Sequence, residues 1–290
     1  MTRVAVVYAT LGRPDLIARV VNHLAGQTRR PDIVMISAVA ASDVAGCELS
    51  PLAPELVFGE KGLCRQRNRA LEALAGRADV VLFFDDDFIP ADDFVEKTVE
   101  TFDATPELAG VTGRVIADGI KTPGFSFEDA ITFLANDQPD PVPRSYPVTS
   151  LYGCNMAIRM SLAEGLEFDE RLPLYGWLED VDFTYRLRSR GPLLLCDQLV
   201  GVHMGTKGGR TSGRRFGYSQ IANPIYMLRK GSVPQSMAFQ RISRNLVSNL
   251  YGCVRPEPYV DRFGRLAGNL IGLLDLMTAR LDPERVLTID

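Results

Sequence analysis

Three consecutive carboxylates, Asp85, Asp86 and Asp87, directly follow an apolar run of strand length. Ligands of open α/β sheets bind at the carboxyl ends of the strands, which is where these side chains would lie. An Asp-x-Asp pattern suits Mg²⁺ or Mn²⁺, which prefer oxygen ligands and keep open positions for substrate phosphates. The alternative is a turn in which Asp92 or Asp93 caps the next helix. Capping explains those two aspartates better than it explains the triplet, so the pattern favours a metal site.

A second acidic group, Glu179, Asp180 and Asp182, begins the segment LEDVDFTYRLRSRG. Negative charge in the first turn of a helix is favoured by the helix dipole, and this is the simplest interpretation of the group. Trp177 precedes it and adds a further indication. An aromatic face beside carboxylates is typical of sites that hold a sugar ring against the aromatic surface and its hydroxyls against the acids.

Apolar runs of strand length alternate with segments of helical periodicity, which predicts a sheet covered by helices on both faces. We expect a Pro-rich irregular segment over 121–149 and a mobile, glycine-rich basic loop over 201–218. The predicted strands are 4–9, 32–40, 79–84, 109–117 and 153–159, and the predicted helices are 14–27, 62–76, 92–102, 178–191, 240–254 and 265–281.

Charge is unevenly distributed along the chain. Residues 198–256 contain no Asp or Glu and nine basic residues, although the net charge of the whole chain is −4. This asymmetry indicates a metal site beside a phosphate or membrane-surface site, and the alternative is an ordinary solvated surface.

The last predicted helix has an apolar face. With the basic residues of this region, it could lie on an anionic membrane surface, or it could pack on the catalytic domain or at a dimer interface. The face consists of Leu266, Leu270, Leu273, Leu274, Met277 and Leu281, and the basic residues are Arg241, Arg244, Arg262 and Arg265.

Composition is that of an ordinary globular protein, with 46% apolar and 23% charged residues among 290. No apolar window is long enough to span a membrane. The first residues are interpreted as a strand and not as a signal peptide. The five cysteines are scattered, which is typical of reduced thiols in a cytosolic protein.

Five motifs occur in an order that resembles family 2 glycosyltransferases of the GT-A fold, over roughly residues 3–230. The motifs are TLGRPDLIARVVNHLAGQTRRPDIVMIS, GLCRQRNRAL, FFDDDFIP, GCNMAIRM and GWLEDVDFTYRLRSRG. The resemblance implies an α/β fold with a Rossmann-like, mostly parallel sheet flanked by helices and a helical C-terminal extension. The sequence becomes glycine-rich and basic past residue 200, so we expect the catalytic domain to cover 1–205, with a nucleotide-sugar half over 1–117 and an acceptor half over 118–205. A flexible basic loop and a helical region would follow over 206–290.

The resemblance also implies site roles, with Mg²⁺ or Mn²⁺ as the cofactor. The implied residues are Thr10, Arg13, Gly62, Arg67, Asn68, Asp85 and Asp86 for the nucleotide; Asp87 and His203 for the metal; Asp180 as general base, with Glu179 beside it; Trp177 and Asn155 for the acceptor; and Lys207, Arg210 and Arg214 for the diphosphate.

One position departs from the family pattern. Strand 2 of the family usually ends in an Asp that contacts the base or ribose, whereas this chain has Ser37 near that place and Asp43 six residues later. The sequence therefore leaves the base of the donor open between uridine and thymidine.

The function implied is metal-dependent inverting transfer of a hexosyl or rhamnosyl group from a UDP- or dTDP-linked sugar to a glycan or lipid-linked acceptor. Cell-envelope or exopolysaccharide biosynthesis is the expected setting. The expected location is the cytoplasm, with peripheral contact at the inner face of the membrane and a homodimer as open options. No nucleic-acid partner is indicated.

Three other classes compete with this interpretation. A sugar-phosphate nucleotidyltransferase should carry a Gly-rich loop with Gly-Thr-Arg after strand 1, but ATLGRP offers one glycine. A phosphatase with an aspartyl nucleophile should carry Asp on strand 1. A catalytically inactive sugar-nucleotide-binding relative would not need the pair Glu179 and Asp180.

Overall fold

The computed structural model describes residues 1–138, 140, 142–207 and 212–290. Its strands are β1 (Val4–Ala9), β2 (Ile33–Ala38), β3 (Glu55–Phe58), β4 (Val80–Asp85), β5 (Phe88–Pro90), β6 (Gly110–Asp118), β7 (Ser145–Pro147), β8 (Asn155–Arg159) and β9 (Leu193–His203). Its helices are α1 (Pro14–Leu24), α2 (Leu63–Leu74), α3 (Phe94–Ala104), α4 (Phe127–Asn136), α5 (Met160–Ala163), α6 (Glu179–Leu187), α7 (Gly213–Lys230), α8 (Gln235–Val254) and α9 (Arg262–Met277).

The strands form one mixed sheet in the order β3-β2-β1-β4-β8-β6-β9-β5, with β7 paired to β9. Neighbours from β3 to β4 are parallel, as are β6 and β9. The strand β8 is antiparallel to both β4 and β6, and β5 and β7 are antiparallel to β9. The expected α/β fold is confirmed, and the parallel character is concentrated where the apolar runs are continuous.

The chain divides into two compact units, and the division passes through α2 and α6. Unit 1 comprises Met1–Lys61, Arg65–Glu167 and Arg186–Gly208, and unit 2 comprises Gly62–Cys64, Phe168–Tyr185 and Gly209–Asp290. The sheet belongs to unit 1. Its core is built from the inner faces of α1 and α3 and from the strands, with Phe84, Phe88 and Phe94 in mutual ring contact.

Two predicted irregular segments contain regular structure. The segment 121–149 holds α4, which begins with a reciprocal capping box between Ser126 and Asp129. The segment 201–218 holds the end of β9 and the start of α7, where the Ser212 hydroxyl accepts from the Arg215 amide. Capping residues dispersed among Pro and Gly were the overlooked signals.

Unit 2 is built around α7, α8 and α9, whose contacts combine a polar network with an apolar cluster. Amide side chains link the three helices: Asn249 Nδ2 donates to Gln220 Oε1 at 2.7 Å and to Asn269 Oδ1 at 2.8 Å. The Asn269 Nδ2 atom also donates to the Gly217 carbonyl at 2.7 Å. A smaller apolar cluster, including Ile221, packs beside this network.

The predicted apolar face of the last helix exists, but much of it points to solvent. Leu270, Leu274 and Met277 are exposed, whereas the buried residues of α9 include Gly268, Asn269, Gly272 and Asp275. Periodicity shows which residues share one face of a helix, but it does not show whether that face is buried or exposed. In the part of the chain that is described, no helix combines the length and apolarity needed to cross a membrane.

Close backbone contact between α7 and α9 makes a testable prediction at Gly268. A methyl group there would lie 2.0 Å from the Arg214 carbonyl oxygen and 2.6 Å from the Tyr218 amide nitrogen. Because backbone atoms cannot move aside, we expect Gly268→Ala to reduce the free energy of unfolding by about 1–3 kcal/mol. Thermal and urea unfolding measure the change.

Gly26→Ala is the matched control, because its added methyl would meet a single carbonyl oxygen at 3.3 Å. Equal stability of the Gly268 and Gly26 variants would contradict the tight α7–α9 packing.

Candidate active site

The first carboxylate of the triplet lies at the end of β4 and is held by a buried arginine. Arg67, on α2, is 2% exposed and donates through Nη2 to Asp85 Oδ1 at 3.0 Å and to the Gly153 carbonyl at 2.8 Å. Its guanidinium also lies over the Phe83 ring, 5.5 Å from the centroid. Burial leaves the Arg67 side chain little surface for a nucleotide, so its observed contact is the orientation of Asp85.

The second carboxylate is satisfied from the loop after β1. Thr10 Oγ1 donates to Asp86 Oδ2 at 2.8 Å, and Arg13 Nη1 donates to Asp86 Oδ1 at 2.7 Å. The same loop is fixed from the other side, where Asp43 Oδ1 accepts from the Gly12 amide at 2.8 Å. These contacts join the loop after β1 to the aspartate triplet.

The third carboxylate faces the end of β9. Asp87 Oδ2 accepts from the Thr206 amide at 2.7 Å, and Asp87 Oδ1 lies 3.2 Å from His203 Nε2. On the other side of the ring, His203 Nδ1 lies 3.2 Å from Asp118 Oδ1. Tyr152 contacts both groups, because its hydroxyl donates to Asp118 Oδ2 at 3.0 Å and lies 3.3 Å from His203 Nδ1.

These contacts shift the pKa values of the ionisable groups of the site in different directions. Burial opposes a charge on His203, but hydrogen bonding to Asp118 and Asp87 outweighs it and raises the pKa of His203 from 6.5 to about 10. Burial also opposes a charge on Asp87, yet His203 and Arg13 hold its pKa below the usual range. For Asp86, burial exceeds the opposing effect of Arg13, and the pKa rises. Between Asp86 and Asp87, protonation therefore falls first on Asp86.

The site fits a divalent cation. Among the described residues, Asp85, Asp87 and His203 each offer a ligand atom, and these atoms lie within 4.8 Å of one another. With its proton on Nδ1 and directed at Asp118, a neutral His203 presents the Nε2 lone pair to the two carboxylates. The sequence assigned Asp87 and His203 to the metal, and the structure groups Asp85 with them.

Two further residues that were predicted for the site, both in unit 1, make hydrogen bonds within the protein. Asn155 is 1% exposed, and its amide bonds to the Thr112 hydroxyl and donates to the Gly113 carbonyl at 3.3 Å. An amide so buried supports the sheet and has no surface for the predicted acceptor contact. Lys207 Nζ donates to the carbonyls of Gly119 and Ile120 at 2.8 and 2.9 Å.

Three other residues named in the sequence analysis give little information about the site. Asn68 is partly exposed on α2, close in sequence to Arg67. Ser37, one candidate for the missing strand-2 aspartate, is buried and accepts from Arg69 Nη1 at 3.1 Å. Arg210 lies outside the described residues.

In unit 2, the acidic helix α6 is anchored through Asp182. This side chain is 0% exposed and accepts from Lys230 Nζ at 2.9 Å and from Ser232 Oγ at 2.5 Å. Lys230 also contacts Asp169 at 2.6 Å. The sequence placed Glu179, Asp180 and Asp182 in one acidic cluster, whereas in the structure Asp182 is buried and paired with Lys230 at the end of α7.

The residues before α6 are also held by α7. Asn223 Nδ2 donates to the Trp177 carbonyl at 2.8 Å, and the Trp177 ring meets the Phe216 ring edge-on at 5.9 Å. Glu179 is buried, and Asp180 is partly exposed and accepts from the Val181 amide at 2.8 Å. The segment that carries the predicted base therefore has a defined conformation within unit 2.

Two predicted nucleotide or phosphate contacts of unit 2 remain predictions. Gly62 has a φ of 142°, a conformation that favours glycine. Arg214 Nη1 donates to the Asp290 carbonyl at 2.8 Å.

Sequence reasoning missed Asp118, Tyr152 and Lys230. Asp118 ends an apolar strand, which is the signal that identified Asp85, so it could have been found. Tyr152 and Lys230 carry no local pattern, because their partners lie 34 or more residues away along the chain.

Proton release on metal binding is a direct consequence of the His203 environment. Without metal, His203 is protonated below its pKa of about 10. A metal requires the neutral ring, so we expect Mn²⁺ affinity to rise with pH, by about tenfold per unit where one proton is displaced. Calorimetry in two buffers of different ionisation enthalpy counts the protons.

His203→Asn should bind Mn²⁺ more weakly and release no proton. His23→Asn is the control, since the other histidine of the chain contacts the Pro90 carbonyl at 2.9 Å. Proton release that persists in His203→Asn would contradict the assignment.

Lys230 provides a second prediction, on stability. Lys230→Met removes the ammonium group that faces buried Asp182, and we expect the free energy of unfolding to fall by about 1–3 kcal/mol. Lys230→Arg retains the charge and should lose less, and Arg229→Met tests the exposed neighbour. Thermal unfolding in which Lys230→Met and Arg229→Met match would rule out the anchoring of α6.

Comparison with known proteins agrees with the motifs. Residues 51–166, which are 116 of the 290, match the family model described as glycosyl transferase family 2. No curated protein matches the chain in sequence.

Solved structures share the fold at low identity. A mannosyltransferase from Pyrobaculum calidifontis, in complex with GDP-Man and Mn²⁺, has a TM-score of 0.60 at 17% identity, over 94% of this chain and 88% of that one. Glucosyl-3-phosphoglycerate synthase from Mycobacterium tuberculosis, in complex with Mn²⁺, UDP and glucosyl-3-phosphoglycerate, has a TM-score of 0.53 at 17% identity, over 81% and 82%.

The third structure is longer than this protein. TarS from S. aureus has a TM-score of 0.56 at 15% identity over 83% of this chain, which spans 42% of the TarS chain. Residues 51–166 thus match the family 2 glycosyltransferase model, and the chain shares the fold of these solved structures.

Proposed function

We propose that the protein is an inverting glycosyltransferase that uses Mg²⁺ or Mn²⁺. It transfers a hexosyl or rhamnosyl group from a nucleoside diphospho-sugar to a hydroxyl of a glycan or a lipid-linked acceptor. The observation that carries the proposal is the group of Asp85, Asp87 and His203, each oriented by a partner of its own. An arrangement of two carboxylates and one imidazole with fixed geometry suits a metal that neutralises a leaving diphosphate.

The residues of unit 1 bind and orient the donor in this proposal. A bound metal supplies Lewis acidity toward the diphosphate oxygens. Asp118 and Tyr152 hold the His203 ring, and Arg67 holds Asp85, so the ligand atoms need no rearrangement. Thr10, Arg13 and Asn68 lie in the loop and helix that the family resemblance assigns to the nucleotide.

Proton removal is assigned to Asp180. Its carboxylate takes the proton of the acceptor hydroxyl as that oxygen attacks the anomeric carbon, and the nucleoside diphosphate leaves from the opposite face. Glu179 is its neighbour, and Trp177 offers an aromatic face to the acceptor sugar. Lys207, Arg210 and Arg214 supply the basic groups for the diphosphate.

The identity of the donor base is open to a direct measurement. The related structures carry GDP-Man in one case and UDP in another. Asp43, which lies six residues after the position where the family pattern is interrupted, is buried and fixes the loop after β1. We therefore include guanosine diphosphates beside the UDP- and dTDP-linked donors favoured by the sequence.

The setting of the reaction follows from the same proposal. We place it in the cytoplasm or at the inner face of the membrane, in cell-envelope or exopolysaccharide biosynthesis. Residues 1–205 would carry the catalytic domain, with the donor half over 1–117 and the acceptor half over 118–205. The region 206–290 would support it, and a homodimer is compatible with the mechanism.

The test separates donor binding from chemistry. We expect one nucleoside diphospho-sugar to raise the thermal unfolding temperature in the presence of Mn²⁺ or Mg²⁺, since ligand at 100 times its Kd stabilises by ~2.7 kcal/mol. Asp180→Asn should keep that shift and lower kcat by about 10²–10⁴, the usual contribution of a general base. Donor turnover is measured by release of the nucleoside diphosphate.

Glu107→Gln, an exposed position on unit 1, is the control and should retain full turnover. Full activity of Asp180→Asn would remove Asp180 from the mechanism. Metal-dependent donor binding by a wild-type protein without any transfer or hydrolysis would favour the inactive sugar-nucleotide-binding relative.

A further inference from the structure

The outward sides of α8 and α9 expose an unusual amount of apolar surface. Nine large apolar side chains of these two helices are at least half exposed, up to 82% at Met277, and we call them the outer apolar face. The set consists of Phe239, Val247, Leu250, Tyr251, Val254, Phe263, Leu270, Leu274 and Met277. Contiguous exposed apolar surface of this kind marks an interaction site.

The two helices are neighbours. Arg262 Nη1, at the start of α9, donates to Ser248 Oγ at 3.1 Å and to Asn249 Oδ1 at 3.2 Å on α8. A groove of about 440 Å³ runs along α8, lined by Ser243, Arg244, Val247, Ser248 and Tyr251. Arg244 thus lies beside an apolar groove on this side of unit 2.

The inner sides of the helices are already covered. Gly217, Gly252, Gly268 and Gly272 lie at close helix contacts, and buried amides link the helices. An apolar cluster that includes Ile221 also packs on this inner side. The outer apolar face is therefore additional apolar surface that packing within unit 2 does not cover.

Charge distinguishes between the available occupants. The helix α8 contains no acidic residue, and Arg241, Arg244 and Arg255 lie on it or directly after it. A symmetric contact between two copies would bring this basic surface against itself, with no acid of α8 to meet it. An anionic lipid surface offers negative headgroups to the arginines and hydrocarbon to the apolar side chains.

We infer that the outer apolar face docks on an anionic phospholipid surface, with α8 and α9 lying in the plane of the interface. The apolar side chains enter the boundary between headgroups and acyl chains, and Arg244 and Arg255 contact the headgroups. This inference does not depend on the proposed transfer reaction, because binding to vesicles is measured without donor or acceptor.

The experiment is vesicle flotation of the full chain. Vesicles of phosphatidylcholine alone are compared with vesicles of phosphatidylcholine and phosphatidylglycerol, at low and at high salt. We expect flotation with the anionic vesicles and its reduction by salt. The double variant Leu270→Ser, Leu274→Ser should lose binding at least tenfold, and Arg244→Gln should lose about fivefold.

Leu49→Ser is the matched control, because Leu49 is an apolar residue of unit 1 that is 80% exposed. It should float like the wild type, and thermal unfolding confirms that each variant is folded. The inference fails if the wild type does not bind anionic vesicles, or if the double variant binds equally well. It also fails if light scattering shows a dimer that the double variant dissociates, since the face would then join two copies of the chain.

Discussion

Three adjacent carboxylates lie at the end of one buried strand, and the need to compensate their negative charge governs the architecture of unit 1. Asp86 and Asp87 are nearly inaccessible, and a buried carboxylate is tolerated only when it is paired and hydrogen-bonded. Arg67, Arg13 and His203 each supply a cationic or proton-bearing group to a different member of the triplet. The triplet therefore has three different environments, and its members are not interchangeable as ligands.

Sheet topology explains how these partners arrive at one place. Arg13 follows β1, which is the parallel neighbour of β4, so both strands deliver their carboxyl ends to the same edge. The parallel pairing of β6 and β9 sets Asp118 directly opposite His203 in register. Short β5 returns antiparallel along β9 and pairs Phe88 with His203. The orientation of the histidine is thus a property of strand register, with Tyr152 as an additional hydrogen-bond partner.

The sequence predicted those parts whose signals are local. The continuous apolar runs of β1, β2 and β4 are largely buried, and those runs alone were enough to predict them as strands. Strand β9 was not predicted from the sequence, because Asp197 and Gln198 interrupt its apolar run and its pairing partners are distant along the chain. The acidic triplet was found because a run of carboxylates after a strand needs an explanation. The basic side chain that pairs with each carboxylate was not predicted, because such pairing is set by strand register and tertiary contacts.

Helix α7 shows how the basic C-terminal region contributes to the structure of unit 2. Its end holds Asp182 through Lys230, and its middle holds the Trp177 carbonyl through Asn223, so both sides of the acidic helix depend on it. The opposite side of α7 is in backbone contact with α9 at Gly217, where a side chain has no room. One helix therefore connects the segment that carries the predicted base to the pair of helices with the outer apolar face. Because these contacts are direct, the conformation of α6 depends on the packing of the helices that follow residue 212.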